Sequence, residues 1–190
     1  MLESGRSRPE VFVSNEQDDV PIEVERWQRF AVEVLDLIGV RGNGELSLLF
    51  VDETAMAALN HQYMGKQGPT DVLSFPIAEV AVESGRSPDS GGAGPDVGSP
   101  EESKLPYLLG DVVIAPAVAS RQSQDHLGDR GHRGMLVDEL ALLIVHGILH
   151  IRGMDHEIEE EAVIMEARED EILTRLRPTL SDDAAISEGS

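Results

Sequence analysis

The chain has 190 residues, with 36 acidic side chains against 15 Lys and Arg and a formal net charge of −21. That charge repels phosphate backbones unless basic groups or a bound cation are gathered locally. The absence of cysteine excludes disulfides and thiolate metal sites, and it leaves histidine as the ligand for a borderline metal such as zinc. No apolar run has membrane-spanning length and the first residues lack a signal-peptide core, so we expect a single cytoplasmic domain with no membrane partner.

The first half of the chain predicts three strands and two helices. In chain order they are strand, helix, strand, helix and strand, over residues 10–14, 21–38, 45–51, 53–63 and 71–75. The first helix has apolar residues at three- and four-residue steps until Gly39 ends it. Asp52 is a suitable N-cap for the second helix, and Pro76 is expected to stop the third strand.

The second half begins with a long polar interruption. Residues 81–103 are rich in Gly, Ser and Pro and predict a disordered insertion. A strand and three helices follow, over residues 107–115, 116–125, 133–152 and 157–177. The second of these helices is apolar all round from 140 to 145, which predicts a central position in the fold. Pro178 is expected to stop the last helix.

Together these elements predict an α+β fold. A small mixed sheet of about four strands packs with about five helices, which we place on one side of the sheet. Flexible ends over residues 1–9 and 178–190 are expected to flank one domain over residues 10–177.

Residues 146–156 have the sequence HGILHIRGMDH and hold three of the six histidines, at i, i+4 and i+10. His146 and His150 lie four residues apart and therefore on one face of a helix. Gly153 can take the left-handed conformation that ends a helix and reverses the chain, which brings His156 toward the same ion. Three imidazoles suit Zn²⁺ and leave its fourth position open to water. The pattern therefore predicts one catalytic zinc per chain, on the central helix and the turn after it.

The sequence identifies the metal ligands more clearly than the residue that transfers protons. Gly147 follows His146 where the His-Glu-x-x-His proteases carry their glutamate, which disfavours peptide hydrolysis by that route. Asp155 can orient an imidazole ligand, or it can simply form the turn beside Gly153. The three other histidines have no partner at ligand spacing and are interpreted as surface residues: His61, His126 and His132.

Two further segments accompany the histidine motif. Residues 69–76 have the sequence PTDVLSFP, and residues 110–114 have the sequence GDVVI. In this order and with these separations, the three segments resemble the YbeY family of bacterial endoribonucleases, also called rRNA maturation factors. The resemblance covers residues 11–177 apart from the insertion. One departure is Met64, which follows Tyr63 where family members often carry an arginine that helps to handle RNA phosphate.

The resemblance implies a zinc-dependent hydrolase that cuts single-stranded RNA, with His146, His150 and His156 as the metal ligands. It also implies a role in maturing the 3′ end of 16S ribosomal RNA and in ribosome quality control. The expected partners are ribosomal RNA and the small ribosomal subunit with its assembly factors, and no DNA. Asp71, within PTDVLSFP, is a candidate catalytic residue, although Thr70 and Asp71 can instead bond the backbone where the strand begins. Either Lys66 or another basic residue replaces the arginine at Met64, or RNA binding is weaker or differently arranged.

Two other functions remain open on the residues alone. A non-catalytic ribosome-assembly factor would use the zinc as a structural clamp. A zinc hydrolase of a non-RNA substrate is favoured by the net charge of −21, although basic and acidic residues balance between residues 115 and 152. We favour the endoribonuclease because charge is a property of the whole chain, whereas the site is local. Attack by a metal-activated water and metal-assisted attack by the RNA 2′-hydroxyl both fit the predicted site.

Overall fold

The computed structural model describes residues 8–77, 106–154 and 158–182. Within these ranges the strands are β1 (Glu10–Glu16), β2 (Gly44–Val51), β3 (Val72–Pro76) and β4 (Tyr107–Ile114). The α-helices there are α1 (Val24–Leu37), α2 (Glu53–Met64), α3 (Pro116–Gln122), α4 (Leu136–Ile151) and α5 (Glu159–Asp182). The predicted insertion at 81–103 lies outside the described residues.

The four strands form one mixed sheet in the order β1-β2-β4-β3. β1, β2 and β4 are parallel neighbours, whereas β3 runs antiparallel to β4, with Leu73 opposite Val113. The predicted α+β class is confirmed. The predicted cap of α2 is also present, because Asp52 Oδ1 accepts the Ala55 N–H at 2.7 Å.

The main core lies between one face of the sheet and helices α1, α4 and α5. Leu48 and Phe50 of β2 point to this face and are fully buried. Successive strand residues point to opposite faces, and Val113 belongs to a smaller apolar cluster on the other face. Met56 of α2 and Val118 of α3 pack in that second cluster. The expectation that the helices lie on one side is therefore wrong, because the sheet is apolar on both faces and needs cover on each.

Helix α4 is central, as its apolar sequence predicts. Leu140, Ile144 and Ile148 are at most 2% exposed. The helix begins at Leu136, three residues later than predicted, because Gly134 has a φ of +72° and Met135 is extended. Neither α4 nor any other helix of the described ranges is long and apolar enough to cross a membrane.

Gly147 allows α4 to lie close to the sheet. A Cβ atom at this position would lie 2.7 Å from Val112 Cγ1 and 3.1 Å from Ser74 Oγ. Contacts as short as the first of these are repulsive, so a side chain here would push α4 away from β4 and β3. The neighbouring His146 is therefore set at a fixed height above the sheet.

Helix α5 continues through Pro178 to Asp182, so the prediction that Pro178 stops it is wrong. Proline removes one helical hydrogen bond, but other contacts hold the last turn. Thr179 Oγ1 donates to the Leu176 carbonyl at 2.7 Å, and the Arg26 side chain donates to the carbonyl of Leu180. Leu180 is only 5% exposed, and its burial against the core favours the continued helix.

Candidate functional site

A cleft of about 1060 Å³ runs along α4 and is bounded by β3, α5 and the loop between α3 and α4. Its described lining contains six carboxylates: Asp71, Asp129, Asp138, Glu139, Glu166 and Glu169. Within that described lining, Lys66 and Arg177 carry the permanent positive charges. A polyanionic ligand would therefore need additional positive charge in the cleft, which a bound metal ion would supply.

His146 and His150, which we call the histidine pair, face each other at the C-terminal end of α4. Their rings are nearly perpendicular at 78°, and the ring centroids are 4.5 Å apart. The two Nε2 atoms lie 3.0 Å from each other. Both side chains are half-buried and line the cleft. Two ring nitrogens that converge in this way can both bind one ion placed between them.

Glu169 of α5 fixes the orientation of His146. Its Oε1 atom lies 2.8 Å from His146 Nδ1, and the residue is only 4% exposed. Because the carboxylate accepts a hydrogen bond from Nδ1–H, the proton of neutral His146 is on Nδ1. The lone pair on Nε2 is therefore directed toward His150. The same carboxylate–histidine arrangement orients the histidine ligands of metal sites. Glu169 was not predicted, because 23 residues separate it from His146 and neither helical nor turn spacing connects them.

The chain turns after α4 in the way the motif predicts. Gly153 has a φ of +85°, and its N–H donates to the His150 carbonyl at 2.9 Å. The Met154 N–H donates to the Leu149 carbonyl at 3.0 Å, which closes the helix end. The predicted third ligand His156 and its neighbour Asp155 lie outside the described residues, so their assignments stay predictions.

Asp71 lines the cleft from the start of β3. Its Oδ1 atom accepts hydrogen bonds from the Val72 N–H at 2.8 Å and from Thr70 Oγ1 at 2.9 Å. This is the local bonding that the sequence analysis offered as the alternative to a catalytic role. One carboxylate oxygen is thus used by the backbone, and the predicted catalytic role of Asp71 stays a prediction.

A second group of side chains lies toward the N-terminal end of α4, and we call it the His-Glu cluster: His126, His132 and Glu139. Glu139 Oε2 lies 2.8 Å from His126 Nδ1 and 3.1 Å from His132 Nε2. One potential ligand atom from each residue lies within 4.8 Å of the others, so the group could hold a metal ion. The interpretation of His132 as a surface residue is wrong, because it is only 8% exposed. His126 keeps a partly exposed side chain, but it too has a partner, since both histidines contact the fully buried Glu139.

Hydrogen bonding and burial act in opposite directions on the pKa of His126 in the His-Glu cluster. Glu139 is 0% exposed, and a buried carboxylate persists only where donors or positive charge compensate its lost hydration. The hydrogen bond to Glu139 raises the pKa of His126 against the opposing effect of desolvation, with smaller contributions from Asp129 and Asp125. A signal was present in the sequence: Glu139 stands two helical turns before His146 and borders the apolar run 140–145 of the same helix.

Asp138, in the first turn of α4, binds Arg133 of the loop that precedes the helix. Its carboxylate accepts the Arg133 N–H at 2.9 Å and the Arg133 guanidinium at 2.7 Å. Burial alone would raise the pKa of Asp138, but the hydrogen bonds and charge of Arg133 outweigh it and the pKa is lowered. The contact fixes the loop that carries His132.

The family model described as Endoribonuclease YbeY matches residues 12–177. An Endoribonuclease YbeY of Thermobifida fusca is 39% identical, over 91% of this chain and 97% of the relative. The chain belongs to this family. An Endoribonuclease YbeY of Pelotomaculum thermopropionicum is 41% identical, over 89% of this chain and 98% of that YbeY relative. The resemblance inferred from the motifs is confirmed, and with it the expectation of an enzyme of the endoribonuclease class.

A solved structure supports the fold of this YbeY family member. The solution structure of TM1509 from Thermotoga maritima covers 88% of this chain and 92% of its own, with a TM-score of 0.50. Its sequence identity is 18%, so this likeness concerns the fold alone.

Proposed function

We propose that the chain is a zinc-dependent endoribonuclease that cuts single-stranded RNA. Its proposed role is the maturation of the 3′ end of 16S ribosomal RNA and ribosome quality control, with the small ribosomal subunit and its assembly factors as partners. The proposed metal dependence rests on the histidine pair, whose Nε2 atoms lie 3.0 Å apart while Glu169 orients His146. Membership of the endoribonuclease family carries the choice of RNA as the substrate.

The donor set fits a zinc ion. His146 and His150 offer two imidazole nitrogens, and His156 is proposed as the third ligand. Imidazole suits zinc and its neighbours among the divalent transition metals, and three protein ligands leave a position open. A divalent cation held there would polarise the phosphodiester and would lower the pKa of the attacking water or hydroxyl group.

The chain's own residues would position the ion and the RNA. Glu169 keeps His146 in the tautomer whose Nε2 lone pair points toward His150. Lys66 follows α2, in a loop that Asn60 holds through a 2.8 Å hydrogen bond to the Gly68 carbonyl. We propose that Lys66 and Arg177, which both line the cleft, pair with RNA phosphates and so serve where the family arginine is replaced by Met64.

A hydrolase of a different substrate is the second candidate. It is favoured by the six carboxylates in the described lining of the cleft, which repel a polyanion. This alternative would turn over a small ester or peptide and leave RNA intact. A non-catalytic assembly factor would bind zinc and cleave neither.

The test compares the wild type with His150→Ala in zinc content and in cleavage of a single-stranded RNA. We expect the variant to lose one zinc per chain and more than about 100-fold of its cleavage rate, because even outer contacts to a metal ligand are worth roughly 10–100-fold. His61→Ala is the matched control, since His61 is exposed on α2 and lies outside the cleft lining. Circular dichroism checks that each variant is folded.

The outcomes separate the candidates. A folded His150→Ala that keeps its zinc and its cleavage activity would contradict the proposal. Zinc-loaded wild type that cuts no RNA would favour the assembly factor, or the other hydrolase if it turns over an ester. The product ends then define the chemistry, because a 2′,3′-cyclic phosphate shows attack by the RNA 2′-hydroxyl.

A further inference from the structure

The His-Glu cluster contains buried polar atoms that its own contacts do not satisfy. Glu139 Oε1 and His132 Nε2 are buried and have no hydrogen-bond partner within the described part of the chain. His132 Nε2 lies 3.1 Å from Glu139 Oε2, but in poor alignment for a hydrogen bond. Glu139 is 0% and His132 8% exposed. An unsatisfied carboxylate oxygen in such a place costs free energy unless a cation or another donor reaches it.

We propose that the His-Glu cluster is a second divalent cation site, with His126, His132 and Glu139 as ligands. Two imidazoles and one carboxylate are a common donor set for zinc. The ligand atoms lie 2.8 and 3.1 Å apart, close to the roughly 3–3.5 Å that separates ligand atoms bonded to one zinc at about 2.0–2.2 Å. An ion bound by both carboxylate oxygens of Glu139 would also satisfy Oε1.

The hydrogen bonds around the cluster define what must change when the ion binds. The Gly134 N–H donates to His132 Nδ1 at 3.0 Å, so neutral His132 carries its proton on Nε2. His132 becomes a ligand when that bond is released and the proton moves to Nδ1. His126 only has to lose the Nδ1 proton that it donates to Glu139. His126 and Glu139 are therefore the first ligands, and His132 completes the site.

The two sites are too far apart to act as one two-metal centre. Glu139 and His146 are seven residues apart on α4, which corresponds to about 10 Å along the helix axis. Two-metal phosphodiester sites hold their ions about 3.5–4 Å apart. The second ion would instead add positive charge at the other end of a carboxylate-rich cleft, where it would bind an RNA phosphate remote from the cut. This role in RNA binding rests on the proposed function, whereas the metal site itself does not.

The test counts ions per chain in the full-length protein. Wild type and variants are loaded with Zn²⁺ alone, freed of loosely held metal on a weak chelating resin, and measured by elemental mass spectrometry. We expect about two ions in the wild type, about one each in His126→Ala, Glu139→Gln and His150→Ala, and none in His126→Ala/His150→Ala. His61→Ala is the matched control and should keep both ions.

Each result decides one site separately. A single ion in the wild type, kept in His126→Ala and lost in His150→Ala, would overturn the second site. A single ion kept in His150→Ala and lost in His126→Ala would support the second site and contradict the proposed catalytic one. Glu139→Gln changes a buried group and can fail to fold, so His126→Ala decides, because the His126 side chain is 41% exposed.

Discussion

The two ends of the cleft differ in how the chain builds them. At the C-terminal end of α4, one helix presents both members of the histidine pair, and a turn at Gly153 leads to the next residues of the motif. At the N-terminal end, the His-Glu cluster takes one residue from α4 and two from the preceding loop. The first arrangement is set by helical spacing, whereas the second depends on how a loop folds back on its helix.

This difference explains why one end was visible in the sequence and the other was not. A four-residue spacing places two side chains on one face whatever surrounds the helix. His126 meets Glu139 across 13 residues, through a loop whose path depends on Gly134 and on the Arg133–Asp138 contact. No periodic pattern encodes such a loop, so these residues could not be joined from their spacing.

The largest effect is expected from Glu169→Gln, at the C-terminal end of α4. The exchange keeps the size of the side chain but removes the negative charge of the carboxylate that faces His146 Nδ1. We expect zinc affinity at the histidine pair to fall by roughly 10–100-fold, which corresponds to about 1.4–2.7 kcal/mol. Zinc titration of the full chain against a competing chelator measures the change.

Glu160→Gln makes the same change of charge at an exposed position of α5 and serves as the control. It should leave the affinity unchanged, because Glu160 does not line the cleft. Wild-type affinity in Glu169→Gln would show that the carboxylate does not tune the histidine pair.

The next effect concerns stability at the N-terminal end of α4 and is tested by Asp138→Asn. The variant loses the charge that holds Arg133, and we expect about 1–2 kcal/mol of destabilisation near neutral pH. The destabilisation is modest because the Arg133 side chain is 42% exposed and solvent screens the ion pair. Urea unfolding of both proteins at several pH values measures it.

The pH dependence has a definite sign. The pKa of Asp138 is lowered in the folded protein from an ordinary value of 3.8, so its contribution is complete above that value and is lost as the pH falls through the folded pKa. The difference between wild type and Asp138→Asn should therefore shrink under acid conditions. A difference that grows on acidification would contradict this assignment, and Asp125→Asn, at an exposed site, is the matched control.

Most of the fold could be predicted because its signals are local. Apolar periodicity located each strand and α-helix of the described residues to within three positions, except for the end of α5, and Asp52 caps α2 as expected. The errors have tertiary causes. Pro178 lies inside α5 because buried Leu180 and its contact to Arg26 hold the last turn. The second apolar face of the sheet was missed because covering it depends on where Met56 and Val118 pack.

The candidate site was predictable to the extent that one helix builds it. The placement of His146 and His150 follows from their spacing, but Glu169 reaches His146 from another helix. Which of the cleft's carboxylates meets a histidine is therefore decided by how α5 crosses α4. Periodicity predicts the face that each helix buries but not the register between two helices.

The smallest effect is expected at Gly147, which sets the distance between the histidine pair and the sheet. In Gly147→Ala the new methyl group would lie 2.7 Å from Val112 Cγ1, and Val112 is fully buried in a β-branched rotamer that cannot move freely. Overpacking costs about 1–3 kcal/mol, whereas alanine gains roughly 1 kcal/mol of helix propensity. We expect a net loss of about 1 kcal/mol in the free energy of unfolding.

A double-mutant cycle with Val112→Ala tests the cause of that loss. Val112→Ala removes the methyl group that the new side chain would strike, so adding Gly147→Ala to it should be neutral or stabilising. The same loss in both backgrounds would mean that the contact with β4 is not responsible. Because Gly147→Ala displaces His146 from the sheet, we also expect it to weaken zinc binding at the histidine pair, and the double variant should recover that affinity. The His-Glu cluster, two turns away on α4, should bind zinc equally in every member of the cycle. A single added methyl group would then change metal binding at one end of the cleft and not at the other.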